Sequence, residues 1–563
     1  MGFKDEVIKL LKKEVKLIDL DNFIEVPPDP QMGDFAFPCF ALSKQLKKAP
    51  NSIAEDIAKK IKTNSMVVRI QATGPYINFF VNKDVAAEDT LSVIQKEKDR
   101  YGTGKKNNKT VLIESPGPNL NKPLHLGHLR NICLGASLHK LFNNAGYKAL
   151  LVDIINDRGI HINKSMLAYK KYGRNRTPNK KSDHFVGDFY VLYNQKVKEH
   201  PELEHEAQKM LLEWEQGKPE IINLWTKMSK WALDGINQTY ASLDFKTKPY
   251  FESQTYKKGK EIVMDGLKKG VFYKDKTGAV LVDLKKEGLG EKVLMRSDGT
   301  SVYITQDLYL AKKRYEDFKM DRMIYIVGSE QIYHFKVLFS VLKKLGMKFA
   351  ENCHHMAYGM VYLPSGKMKS REGKVVDIDD LVEGMIKLAE KEVKKRDKKL
   401  SKKEIDKRAK TIALGALRFY LLKTDPFKDI FFNTEESLSF EGETGPYVQY
   451  AHARICSIMK KLGKEKVGKP DYSLLKTEQE QNIIKLLAEF PSVAKTAQEQ
   501  LKPSLICRLL IDLAQAFNEF YHSCPILQEK QGTKTARLAL IIAVKQVLKN
   551  GLALLAIDAP EAM

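Results

Sequence analysis

Nowhere in the 563 residues do 18 consecutive positions lack a charged side chain, so no segment reads as a membrane span. Cysteine is sparse. Cys39, Cys133, Cys353, Cys456, Cys507 and Cys524 lie far apart and form no Cys-x-x-Cys pair. That spacing argues against a zinc ribbon or disulfide framework and predicts a reducing, cytoplasmic setting. Cys353-His354-His355 has no companion ligand cluster, so no structural metal is expected there. Internal repeats and low-complexity tracts are lacking. The first twenty residues are too charged for a signal or transit peptide. Met1-Gly2 is followed by Glu6 where a myristoylation signal needs Ser or Thr.

Acidic residues are in deficit. Lys plus Arg number 94 against 70 Asp plus Glu, a net charge of +24. A large basic protein attracts polyanions, nucleic acid above all; the plainer alternative is a lysine-rich proteome. Between Lys387 and Lys410 the chain carries twelve basic and five acidic residues, on a segment that also reads as a solvated helix. Length suggests about four domains of roughly 150 residues each.

The first hundred residues read as a small α/β unit. Helical periods run from Val7 to Leu17 and Ile53 to Ile61, with a strand at Tyr76 to Val81. Lys105 to Lys109 is a polar linker. Thr110 to Glu114 then reads as a buried strand, and a proline-glycine loop follows. A helix is expected from Gly127 to Ala145, with Leu134, Leu138, Leu141 and Phe142 on one face, and a strand from Leu150 to Ile155. A right-handed crossover makes this the start of a Rossmann-like parallel sheet. Val302 to Thr305 reads as a strand before a helix at Asp307 to Arg314. Met323 to Val327 is another strand, followed by a helix ending near Gly346. The predicted fold is multidomain α/β plus all-α. Its expected parts are a small α/β domain (1–108) and a Rossmann-like domain (109–380) with an insertion at about 165–250. A helical connecting region (381–440) and a C-terminal helical bundle (441–563) follow.

Two motifs carry chemistry. His125-Leu126-Gly127-His128 stands where the loop becomes a helix, so both imidazoles share the first turn and face unsatisfied N–H groups. Gly127 would let a flat base or ribose approach the backbone. Such a junction suits ATP, with the imidazoles stabilising charge at the α-phosphate; the bland alternative is two capping histidines. The second motif, 366–373, includes Lys367, Met368, Lys369, Ser370 and Arg371 between glycines. It reads as a basic loop able to close over ATP phosphates, or as an exposed basic turn.

Together these motifs resemble the signature pair of class I aminoacyl-tRNA synthetases, and the resemblance narrows to the arginyl-tRNA synthetases. The leader Ser115-Pro116-Gly117-Pro118-Asn119-Leu120-Asn121-Lys122-Pro123 is similar to that family's. So are Tyr303-Ile304-Thr305-Gln306-Asp307 and Ser329-Glu330-Gln331-Ile332-Tyr333-His334. Gly33-Asp34-Phe35 and Gly74-Pro75-Tyr76-Ile77-Asn78-Phe79-Phe80 resemble its N-terminal tRNA-elbow domain. Thr444 to Arg454 resembles the start of its helical anticodon-binding domain. The ending Ala559-Pro560-Glu561-Ala562-Met563 fits too, although the family more often has Arg at the position of Ala562.

The resemblance implies that L-arginine, ATP with Mg²⁺ and tRNA(Arg) are the partners, and that the enzyme is a cytoplasmic monomer. Asp307, with Tyr303 one turn before it, would take the guanidinium, and Glu252 is a second acid candidate. Glu114, Gly117, Pro118, Asn119, Gln331 and His128 would meet the amino and carboxylate ends. Tyr447, Tyr450 and Arg454 share one helix face and would read the anticodon, unless the tyrosines are core residues. The family's loop pattern, Lys-Met-Ser-Lys-Ser, puts lysine where this chain has Ser370. The missing charge would come from Lys122 or Lys369, and Lys122 is favoured as the fixed donor. Three rival readings are a metabolic nucleotidylyltransferase, a non-catalytic tRNA-binding paralogue and a class I synthetase of another specificity.

Overall fold

The structure, a computed structural model, describes residues 3–17, 20–300, 302–363, 377–463 and 468–563. It forms two compact units. One comprises residues 1–101, 454–491 and 512–550; the other comprises 102–453, 492–511 and 551–563. These units do not follow the linear divisions expected at 108/109 and 440/441. The last four helices, Gly445–Leu462, Glu478–Glu499, Ser504–Ser523 and Gln531–Leu554, each contribute to both units. Spatial proximity of the backbone, which chain order does not reveal, draws the boundary. Among the described residues no helix is long and apolar enough to cross a membrane.

The first unit contains an antiparallel sheet with Tyr76–Val81 between Phe35–Pro38 and Val67–Thr73. Ile77 and Phe79 alternate inward and are fully buried with Phe37, as the two-residue period of a strand requires. Val7, Leu10, Leu11, Ile53, Ala54 and Ile57 complete that core. The first helix spans Phe3–Leu11, shorter than the apolar period suggests. Lys13 and Glu14 N–H groups bond three residues back, to Leu10 and Leu11 carbonyls, so the helical ladder gives way to turns while Val15 stays buried. In the same unit the Tyr101 hydroxyl donates to the Leu487 carbonyl at 2.9 Å.

The second unit is built on five parallel strands: β1 (Thr110–Glu114), β2 (Lys148–Ile155), β3 (Lys248–Phe251), β4 (Arg322–Gly328) and β5 (Cys353–Tyr358). Their order is β5-β4-β1-β2-β3. Val111, Leu112 and Ile113 are wholly buried, as expected for a strand covered on both faces. Helix α1 (Leu126–Asn144) links β1 to β2. Between β2 and β3 lie the helices of the insertion, among them α2 (Ser182–Glu199) and α3 (Pro219–Ser242). Then come α4 (Glu252–Lys268), α5 (Tyr303–Phe318), α6 (Ile332–Lys344) and α7 (Ile378–Arg396). The chain steps from β1 outward to β3 and then returns to lay β4 on the other side of β1. The carboxyl ends of β1 and β4 therefore flank a topological switch point, where open α/β sheets bind ligands.

Two features differ from expectation. Val302–Thr305 is not a strand: α5 begins at Tyr303 with Val302 as its N-cap. Ile304, Leu308 and Ala311 are buried at helical spacing, and Thr305 Oγ1 accepts the Val302 N–H at 3.2 Å. Tertiary burial overrides the β-preference of the Val-Tyr-Ile-Thr run. An antiparallel meander, Tyr273–Lys274, Val280–Leu284 and Gly290–Met295, lies between α4 and α5 and was not anticipated.

Candidate active site

His125 is the N-cap of α1, in an extended conformation. Its N–H donates to His128 Nδ1 at 3.1 Å, and the two rings lie 3.9 Å apart. Since Nδ1 accepts, His128 carries its proton on Nε2. Burial, with Lys122 nearby, pushes His125 down to about 4; burial, then His125 and Lys122, take His128 well below its ordinary range. Both imidazoles are thus neutral at pH 7. His125 Nδ1 is buried without a partner among the described residues. A side chain on Gly127 would start only 3.2 Å from the His125 ring. The absence of a side chain there makes room for that imidazole. Lys122 is half-buried; desolvation lowers its pKa, and its ammonium has no hydrogen bond or ion pair among the described residues.

One turn further along α1, Arg130 is fully buried. Its guanidinium donates to backbone carbonyls of Gly359, Pro426 (3.2 Å) and Lys428 (2.9 Å), tying α1 to the exit of β5. Sequence reasoning missed it. The signal available was a cation in an otherwise apolar helix interior.

A second cluster is acidic. Glu252 opens α4 and is 7% exposed. Burial, with Asp157 and Asp307 nearby, pushes it up to about 7, against the pull of Arg158. Asp157 follows β2, is buried, and accepts from Ser253 N–H (2.8 Å) and Oγ (2.6 Å). Asp307, half-buried on α5, accepts from His334 Nε2–H at 2.7 Å. Burial opposes charge on His334, but the bond and charge of Asp307 outweigh it and raise its pKa. Arg158 borders the cluster: it bonds Glu215 at 2.7 Å, approaches Glu252 to 3.6 Å and stacks 4.1 Å over Tyr256. Asp157, Arg158 and the His334 contact escaped sequence reasoning, because four separate stretches converge here. Tyr303 sits one turn before Asp307 but is 76% exposed, so it forms no enclosed wall.

The leader loop is held at the carboxyl ends of β1 and β2. Asp153, fully buried and pushed up to about 7 by burial, accepts from Gly117 N–H and the Tyr240 hydroxyl, each at 2.8 Å. Asn156 Nδ2 donates to Gly117 and Pro118 carbonyls at 3.3 Å, and Asn119 bridges Asn156. Glu114 ends β1, but one of its carboxylate oxygens is taken by the buried Arg314; a single oxygen is left for an amino group. Gln331 is exposed in the turn after β4. Glu114, Asn119, Gln331 and His128 thus come from elements flanking the switch point. The candidates Lys367, Met368, Lys369, Ser370 and Arg371 lie outside the described residues.

On the helix Gly445–Leu462, Tyr447 and Tyr450 are half-buried, and Arg396 lies 5.2 Å over the Tyr450 ring. Arg454 donates to Asn518 at 2.9 Å. Gln449 and His452 of the same motif are buried and bond the Asp558 and Pro560 carbonyls at 2.9 and 2.8 Å. The two motifs singled out near the end of the sequence therefore meet. In Cys353-His354-His355, His355 donates to the Val327 carbonyl and stacks on Phe335, which is sheet packing.

Comparison with known proteins matches three family profiles. "Arginyl tRNA synthetase N terminal domain" covers residues 3–81, "tRNA synthetases class I (R), catalytic domain" 90–434, and "DALR anticodon binding domain" 448–563. Among curated relatives, the arginine–tRNA ligase of Treponema denticola is 46% identical over 96% of this chain and 94% of its own length. That of Borreliella burgdorferi is 42% identical over 97% and 95%. The solved arginyl-tRNA synthetase of Thermus thermophilus superposes with a TM-score of 0.85 at 26% identity, covering 100% of this chain and 99% of that one. With a catalytic profile over most of the sequence and relatives alike almost end to end, the chain belongs to the arginyl-tRNA synthetases of class I.

Proposed function

We propose that the chain activates L-arginine with ATP and transfers it to the 3′ end of tRNA(Arg). The observation that carries this reading is a site of two opposed charges. Lys122 with two neutral imidazoles stands after β1, and the acids Asp157, Glu252 and Asp307 form a second group, with Asp157 and Glu252 after β2 and β3. An arginine substrate has the complementary ends: a carboxylate to react and a planar guanidinium to be recognised by carboxylates.

In the first step an arginine carboxylate oxygen attacks the α-phosphorus of ATP. The bond to the bridging oxygen breaks, pyrophosphate leaves, and arginyl-adenylate forms. His128 Nε2–H and the His125 ring hydrogen-bond the α-phosphate oxygens, and Lys122 adds charge as negative charge builds there. Mg²⁺ arrives as part of the MgATP substrate. In the second step a ribose hydroxyl of the tRNA 3′ end attacks the acyl carbon and AMP leaves. Neither step needs a protein nucleophile; orientation and charge stabilisation suffice. Asp307 and Glu252 take the guanidinium. Glu114, Gly117, Pro118, Asn119 and Gln331 orient the α-amino and carboxylate ends. Lys367, Met368, Lys369, Ser370 and Arg371 are assigned to the ATP phosphates by resemblance. Residues 1–108 would bind the tRNA elbow and 441–563 its anticodon, in a cytoplasmic monomer. Arginine-dependent ATP–pyrophosphate exchange, measured with and without tRNA(Arg), tests the reading. Exchange driven by another amino acid, or none at all, overturns it.

A further inference from the structure

At the start of α2 lies a charged cluster with no part in the chemistry above. Lys181 Nζ donates to Asp183 Oδ2 (2.9 Å), Thr239 Oγ1 (2.7 Å) and Asp379 Oδ2 (2.7 Å). His184 Nε2–H donates to the same Asp379 oxygen at 3.0 Å, and its Nδ1 lies 3.7 Å from Asp377. Thr239 donates to the other Asp379 oxygen at 3.0 Å. Asp183, His184 and Asp379 present ligand atoms within 4.8 Å of one another, a spacing that suits a cation. The Lys181 ammonium already bonds both carboxylates of that trio, so the positive charge is built in and a metal reading is discarded. Asp379 is held down at about 2: burial opposes its charge, but His184 and Lys181 outweigh it.

The cluster reaches the histidine motif by two short routes. Asp377, two residues before Asp379, forms an antiparallel bridge with His125, and the Ile378 N–H donates to the Leu124 carbonyl at 2.9 Å. One turn beyond His184 on α2, Gly187 touches the leader itself. A side-chain carbon there would lie 2.9 Å from Pro123 Cδ and 3.6 Å from Lys122 Cα. The segment Lys122–His125 is thus held between α2 and the residues that Asp379 anchors to α2 and α3.

We propose that Lys181, His184 and Asp379 are positioning residues that set the placement of Lys122 and His125 against the α-phosphate. The inference rests on the ligase reading. Its physical content is that Asp379 makes the start of α7 a fixed neighbour of the leader. Losing one member of a partly buried ionic cluster leaves the others unpaired and releases Asp377 and Ile378 from their register. A displacement of about 1 Å at a reacting group costs up to about 10²-fold in rate.

The test uses the full chain and tRNA(Arg), with single-turnover adenylate formation and steady-state constants for His184→Ala, His184→Gln, Lys122→Ala and the double variant His184→Ala/Lys122→Ala. The expected result for His184→Ala is a fall in rate of about 10-fold to 100-fold, with KM for arginine within about twofold. His184→Gln, whose amide N–H still reaches Asp379, should recover most of the rate. The double variant should lose little more than Lys122→Ala alone, because residues acting as a unit are not additive. Asp379→Asn carries the same expectation should His184→Ala not fold. Multiplicative losses, or a rise in KM for arginine at unchanged rate, overturn the positioning role while leaving the ligase reading intact. No arginine-dependent exchange by the unaltered chain overturns the ligase reading, and the positioning role with it.

Discussion

Lys122, His125 and His128 fall within seven consecutive residues, 122–128, and place cationic or N–H-donating groups together. Asp157, Glu252 and Asp307 come from three separate stretches and gather negative charge. The backbone that carries the first group is local, one loop meeting one helix start, although α2 and the start of α7 brace it. The side-chain end exists only after the insertion, α4 and α5 have closed around it. Burial favours the neutral form at both ends: it lowers the pKa of the two imidazoles and raises that of Glu252 against the pull of Arg158.

That contrast can be broken most sharply at Lys122. Lys122→Ala should reduce adenylate formation, measured with tRNA(Arg) present, by about 10²–10³, the loss expected for a fixed transition-state donor, with KM for arginine little changed. A rate within threefold of the unaltered chain would move the charge to Lys369. Next comes Asp307→Asn. Asp307 is half-exposed and already bonded to His334, so the loss in arginine affinity should be about 2 kcal/mol, or roughly 30-fold in KM. An unchanged KM would remove Asp307 from the guanidinium contact.

The pH response of arginine binding sharpens the comparison further. Glu252 is pushed up to about 7. Above that pH it is ionised and pairs with the guanidinium; below it the protonated acid cannot. KM for arginine should therefore rise as pH falls through 7, about tenfold per unit if the ionised form alone binds. Binding near pH 7 should release a proton, seen as a dependence of the calorimetric heat on buffer ionisation enthalpy. Glu252→Gln should flatten both responses; persistence of either would place the titration elsewhere. The smallest effect is expected outside the unit's centre. Tyr450→Ala should raise KM for tRNA by about fivefold, near the low end of base–aromatic stacking at roughly 1 kcal/mol, because its ring already lies under Arg396. A change in arginine KM instead would mark Tyr450 as a packing residue.

The same distinction explains what could be read from the sequence. The strand Thr110–Glu114 and the histidine-bearing helix follow from local patterns, and the parallel sheet follows from their order. Val302–Thr305 misleads because its β-branched run is local, whereas the burial that makes it helical comes from elsewhere. Arg158, Asp157 and Arg130 carry no motif; their roles appear once distant carbonyls and acids are brought to them. The residues of Gly445-Pro446-Tyr447-Val448-Gln449-Tyr450-Ala451-His452 stand out by resemblance. Yet Gln449 and His452 spend their polar atoms on backbone carbonyls near residue 560.

Those carbonyl contacts have a consequence for synthesis. Ser137, in the middle of α1, donates its hydroxyl to the Leu554 carbonyl, a partner 417 residues away. Arg418 likewise bonds the Ala556 carbonyl. At roughly 5–20 residues per second, about 20–80 s separate the emergence of the helix that begins at the histidines from that of the segment that seals it. Through that interval Ser137 on this helix, and Arg418 on the helix Lys402–Leu422, lack those carbonyl partners. The order of synthesis therefore delays both contacts until residues 554 and 556 have emerged.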